Sequence, residues 1–192
     1  MYKLARLTDA STRPERSIAF AAAGWAAVAS GVLGVAMVAT LIAMFVGFAL
    51  GPNARSTALR LGLVNDVLTT VVYGLALPVV PVMHVVVRET GNVRSLVLAT
   101  LGAVGIVVTL VLQWLLVSGA MTFEQQIGSV SVALLAVAAW MVGTGYLAWN
   151  VGFLPHGVRD GLLGGLYIGY PIWAFTIGRR LLHGRSSRGR WR

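Results

Sequence analysis

Residues 17–50, SIAFAAAGWAAVASGVLGVAMVATLIAMFVGFAL, form a 34-residue run without one charged side chain. About 20 apolar residues are enough to span a bilayer as a helix. Hydrocarbon offers no water to backbone N–H and C=O groups, so such a run must be helical or part of a closed barrel. Barrel strands alternate apolar and polar positions, and this run does not alternate. Helix is therefore the expectation here, and the rest of the chain repeats the pattern.

The polar, basic start, residues 1–16, carries Thr12, Pro14 and Glu15, a helix-start signature. GPN at 51–53 ends the first run. A second run covers 61–87 and stops at RETGN (88–92); a third covers 95–117. Thr122 and Gln125, three apart, have capping-box spacing and should open a fourth run over 123–149. After Pro155 and Gly157 a fifth covers 158–180, and an Arg-rich tail follows at 183–192. The expected fold is all-α: an integral membrane helical bundle of about five long helices over 17–182, with no separate soluble domain. Composition agrees. The chain is 57% hydrophobic and 11% charged, where soluble domains carry roughly 25% charged residues. Mean hydropathy is +0.81.

The first run has two odd features. Its start, with Ala27-Val28-Ala29, resembles a cleaved signal peptide, but the apolar residues continue well past that point, which favours an uncleaved span. As one helix, its 34 residues would measure about 51 Å, against a core of roughly 30 Å. The simplest solution lays the first turns, 17–25, in the interface.

Basic loops favour the cytoplasm. With five crossings, Lys3, Arg6, Arg13, Arg16, Arg88, Arg94 and Arg159 share one side, and Arg55, Arg60, Arg179, Arg180, Arg185, Arg188, Arg190 and Arg192 share the other. Seven against eight barely decides orientation. If 17–50 did not cross, the division would be twelve against three. The simpler five-crossing reading puts the C-terminus in the cytoplasm. The basic residues are 14 Arg and one Lys, a usage that resembles high-GC bacterial genomes, so the expected location is a bacterial inner membrane.

Polar groups inside apolar runs are the candidates for function. Asp66, Thr70, Tyr73, Leu77, Pro81 and His84 step by three or four, so they share roughly one helix face. Intramembrane ionisable residues are costly and usually face a bundle interior or a cavity. Pro78 and Pro81 each remove a backbone donor, which predicts a kink near 74–81. Broken helices can line sites in transporters. Asp66 also sits within two turns of a helix start, where the dipole favours an acid, so plain anchoring to Arg60 or Arg179 competes with a solute site. Alternating crossings would bring Asp66, Thr70, Gln113, Glu124 and Arg179 to one polar pocket mouth; a routine interfacial hydrogen-bond layer is the bland alternative. His84 and His156 could ligate haem iron or another metal, although His156 lies in a loop beside Pro155, and the expectation is no cofactor.

Gly157, Gly161, Gly165 and Gly169 repeat every four residues, a glycine zipper of the kind that lets helices approach closely. They can serve a second copy, another membrane protein, or the chain's own bundle. Ala26, Ser30 and Gly34 make a weaker version. The tail carries six Arg from Arg179 onward, with His183 and Trp191. It suits anionic lipid head groups or a positive-inside anchor, rather than nucleic acid.

Tyr170-Pro171-Ile172-Trp173-Ala174, followed by Gly178-Arg179, resembles the last span of uncharacterised bacterial multi-pass membrane proteins. AGWAAVASGVLG (23–34) and TFEQQ (122–126) are similar to stretches of such proteins. The resemblance implies an all-helical membrane fold and no particular activity. No HExxH, P-loop, GxGxxG or Ser/His/Asp arrangement is present. The leading expectation is a non-catalytic integral membrane protein, a packing or accessory subunit of a membrane assembly. The alternatives are a small transporter or ligand-binding protein centred on Asp66, and a haem-binding subunit.

Overall fold

A computed structural model describes residues 13–153 and 166–183, with side chains described for 18–153 and 170–183. Six α-helices and no strands occur among the described residues: α1 (Arg13–Ala49), α2 (Arg55–Ala76), α3 (Val79–Val87), α4 (Asn92–Val117), α5 (Phe123–Asn150) and α6 (Leu166–His183). Among the described residues, four stretches are long and apolar enough to cross a membrane: Ile18–Ala49, Pro52–Ala76, Asn92–Val117 and Phe123–Asn150. The protein is an all-α membrane helical bundle.

Local sequence accounts for each boundary. Pro14 occupies the second position of α1, where a missing N–H goes unnoticed. No breaker follows for 35 residues, so α1 is one unbroken helix of 37 residues, about 55 Å long. Gly51, at φ +94°, and a short 3-10 turn, Pro52–Ala54, reverse the chain. Helix α2 begins at Arg55, earlier than residue 61, because Arg55 and Arg60 are good helix formers that tolerate an interfacial turn. Pro78 and Pro81 split the second run into α2 and α3. They would orphan the Gly74 and Leu77 carbonyls, but Leu77 N and Val80 N donate to these at 3.3 and 3.2 Å. The break therefore leaves neither carbonyl unsatisfied. The capping box forms: Gln125 N donates to Thr122 Oγ1, and Thr122 N donates to Gln125 Oε1.

Small residues set the packing. A Cβ on Gly105 of α4 would lie 2.9 Å from the Ala133 carbonyl oxygen of α5, so these antiparallel helices approach backbone to backbone. Gly102 makes room for the Trp140 ring in the same seam. Helices α1 and α2 are antiparallel as well, with Gly47 against Ala58 and Met44 against Gly62.

The closest approach joins α1 to α6. A Cβ on Gly31 would stand 2.9 Å from both Phe175 N and Pro171 O; one on Gly178 would stand 2.7 Å from Gly24 O and Val28 N. Gly24 meets Leu181 and Leu182, while Gly34 meets Tyr170 and Pro171. These pairs make α6 antiparallel to α1. Helix α5 is antiparallel to α1 too, because α1/α2 and α4/α5 are antiparallel pairs and α3 turns back into α4 through Arg88–Gly91. Helices α5 and α6 are thus parallel, and Asn150 and Leu166 lie toward opposite ends of the bundle. Simple alternation through a fifth segment over 158–180 predicted the reverse direction for α6; residues 158–165 of that segment lie outside the described residues.

Gly31→Val should therefore lower stability by about 1–3 kcal/mol, since its new methyls meet backbone that cannot step aside. Gly128→Ala, with nothing within 4 Å of its Cβ, should be neutral or stabilise by up to about 1 kcal/mol. Thermal unfolding in mild detergent measures both.

Candidate functional site

The centre of the bundle is aromatic. Tyr170 and Trp173 of α6 stack at 6.3 Å between ring centroids, Trp140 of α5 meets Trp173 edge-on at 5.0 Å, and Tyr73 of α2 tilts against Tyr170 at 5.7 Å. All four are buried. Spacing explains the α6 pair: Tyr170, Trp173, Ala174, Ile177 and Leu181 step by three, one, three and four along one face.

One polar knot sits within it. Ser30 Oγ donates to the Val72 carbonyl at 2.9 Å, and the Tyr170 hydroxyl bonds Ser30 Oγ and lies 3.4 Å from the same carbonyl. Three helices, α1, α2 and α6, are tied at that point. The residues involved are buried, so each hydroxyl is satisfied where water is absent, as burial demands. Beside the knot lies a groove of about 270 Å³, lined by Met37, Tyr73, Tyr170 and the α5 residues Ser131, Leu134, Leu135, Val137, Ala138 and Met141. It runs between α1, α2 and α6 on one side and α5 on the other. Leu135 is 62% exposed and Ser131 is exposed, so the groove opens sideways, toward what would be lipid.

The expected pocket mouth divides. Asp66 is half-buried on α2, and Asn65 beside it takes a hydrogen bond from Thr40 of α1. The Thr70 hydroxyl donates to the Asp66 backbone carbonyl at 2.9 Å, not to its carboxylate. No ion-pair partner for the Asp66 carboxylate is found among the described residues. Gln113 is buried on α4, Gln126 on α5, and Glu124 is exposed in the first turn of α5. Arg179 does not join them. It follows Gly178, which sits on Gly24, sixteen residues along α1 from Thr40; sixteen helical steps are about 24 Å. The reversed direction of α6 is the cause. Arg179 instead stands exposed, its guanidinium 5.8 Å above the Phe175 ring.

Other candidates fare differently. The His84 ring nitrogen Nδ1 bonds Ser95 Oγ at 2.5 Å, and Ser95 Oγ also donates to the His84 carbonyl at 3.2 Å. His156 lies outside the described residues, as do Gly157, Gly161 and Gly165; Gly169 is described only as part of the α6 backbone. No cluster of three or more His, Asp or Glu suited to a metal occurs among the described residues. Ser30 and Gly34, read as a weak packing face, are buried within this chain, against α2 and α6.

Four buried polar atoms have no hydrogen-bond partner among the described residues: Gln113 Oε1, Gln126 Nε2, Trp140 Nε1 and Trp173 Nε1. The two amides stand on the facing stripes of the α4/α5 hairpin. One lacks a donor and the other lacks an acceptor.

Sequence reasoning missed Tyr170, Met37 and Ser131 as wall residues. Tyr73 was present in the Asp66 stripe, and Tyr170 in the Tyr-Pro-Ile-Trp-Ala stretch. Neither signal says that the two rings meet. Comparison with family models, with curated proteins and with solved structures finds no match to this chain.

If the Ser30–Tyr170–Val72 knot ties the helices as a unit, Ser30→Ala and Tyr170→Phe should each destabilise by roughly 1 kcal/mol, on the scale of intramembrane hydrogen bonds. The double variant should lose clearly less than both together. Unfolding midpoints of the four proteins in one detergent complete the cycle; additive losses would mean that the hydroxyls act separately.

Proposed function

We propose that this chain is a non-catalytic multi-pass protein of a bacterial inner membrane that holds a lipophilic ligand in the groove between α5 and the α1/α2/α6 trio. The observation that carries the reading is the groove itself. Ligand sites are concave and mostly apolar, with few polar groups, and this one is walled by Met37, Leu134, Val137, Ala138 and Met141 with two tyrosine rings. Its side opening is reached from the bilayer, so a molecule dissolved in lipid meets it without crossing water. The Tyr170 hydroxyl is already engaged inside the protein, which leaves its ring as the surface offered. An apolar chain or ring suits that wall better than a charged solute.

This reading keeps Tyr73 from the polar stripe and leaves Asp66 out, because Asp66 does not line the groove. It belongs to the ligand-binding class, in preference to transport centred on Asp66 or haem between His84 and His156. An accessory role through the glycine repeat rests on residues outside those described and gains no support from this geometry.

Ala138→Phe fills the groove from its α5 wall. Protein from native membranes, purified in mild detergent, is extracted and its lipophilic content measured by mass spectrometry. The parent should retain a defined species near one per chain, and the variant about tenfold less, the ratio that corresponds to a modest overpacking penalty. Equal retention by a folded variant, or no defined species in the parent, contradicts the assignment.

A further inference from the structure

The direction of α6 sorts the arginines. Arg13 and Arg16 lie in the first turn of α1, Arg88 and Arg94 at the turn joining α3 to α4, and Arg179 and Arg180 near the end of α6. All six belong to one end of the bundle, because Gly178 and Leu182 of α6 sit on Gly24 of α1 and α3 follows the end of α2. Among the described residues, the acids at this end are Glu15 and Glu89. The opposite end, formed by the α1–α2 and α4–α5 turns, holds Arg55 and Arg60, with Glu124 exposed beside them. Among the described residues the division is six against two, where simple alternation of crossings gives four against four.

We infer that the six-arginine end faces the cytoplasm and is a docking surface for anionic phospholipid head groups of that leaflet. The inference rests on reading the chain as an inner-membrane protein, and does not depend on the groove. Basic residues flanking short loops are retained on the cytoplasmic side, and that leaflet's surface is negative. The side chains are placed for it. Arg88, Arg94, Arg179 and Arg180 are exposed. Arg179 lies over the Phe175 ring, so its stem runs along an apolar, exposed surface while its charge reaches outward. His183 Nδ1 bonds the Arg179 carbonyl, which holds the imidazole at the same rim. In the sequence, four further arginines follow His183. The start of α1, the turn between α3 and α4 and the end of α6 contribute to the surface, so it is a property of the fold and not of the tail alone.

The chain has no cysteine, so single introduced thiols report without background. Glu89→Cys and Ser118→Cys stand at the two ends of α4. With an impermeant maleimide, Glu89→Cys should label in inverted vesicles only, and Ser118→Cys in intact spheroplasts only. The reverse pattern overturns the inference while leaving the membrane-spanning reading intact; labelling of both from one side overturns the spanning reading itself. Lipid preference is read separately, by the unfolding midpoint in nanodiscs of phosphatidylcholine alone or mixed with phosphatidylglycerol. Phosphatidylglycerol should raise the midpoint, and high salt should abolish the rise. Arg88→Gln with Arg94→Gln, or Arg179→Gln with Arg180→Gln, should lose most of it, each arginine weakening the lipid contact about fivefold. Arg55→Gln with Arg60→Gln should retain it. No rise in the parent, or equal loss in the Arg55/Arg60 variant, contradicts the docking surface.

Discussion

The contact between α1 and α6 governs the molecule. Two helices approach within van der Waals reach of each other's backbone only where side chains are absent, and Gly24, Gly31, Gly34 and Gly178 provide that absence at four levels. Lipid tails are as apolar as leucine, so no hydrophobic drive brings helices together; dispersion at close range and interhelical hydrogen bonds do it instead. The glycines permit the first, and Ser30, on the same face of α1, supplies the second through Tyr170 and Val72.

Three consequences follow from that contact. It brings Tyr170 against Tyr73 and so builds one wall of the groove. It makes α6 parallel to α5, which meets it through Trp140 and Trp173. It also carries Arg179 and Arg180 away from Asp66 and toward the end that holds Arg13, Arg16, Arg88 and Arg94. Groove and charge asymmetry thus share one cause. The groove exists where α5, fastened tightly to α4 through Gly102 and Gly105, meets the α1/α2/α6 trio less closely.

Much of the helical plan was legible. An apolar run tens of residues long has one economical structure in lipid. Pro78 and Pro81 announce the α2–α3 break, and the Thr122/Gln125 spacing announces the start of α5. These are local signals, in which the residues that cause the feature adjoin it. The direction of α6 was not legible, because hydropathy counts crossings only where a run stands out. Pro155 and Gly157 read as one break, and 158–180 reads as a single final span that carries Arg159 and Asp160 in its first turn. The polar mouth proposed around Asp66 inherited that reading, and Arg179 left it when α6 turned over. In the sequence Ser30 reads as a small residue and not as a donor, since its acceptor is a backbone carbonyl 42 positions away. The groove was illegible for a similar reason: Met37, Tyr73, Ser131 and Tyr170 come from four helices.

A disulfide between α1 and α6 tests the central contact most directly. A Cβ on Gly24 lies 3.2 Å from the Leu181 Cβ, near the separation that a disulfide bridges, and the chain has no cysteine of its own. The pair Gly24→Cys with Leu181→Cys should crosslink readily in membranes under mild oxidation, while Gly24→Cys with Tyr170→Cys should not. Crosslinking of the second pair and not the first would mean that α6 runs the other way, and the shared origin of groove and charge asymmetry would be lost.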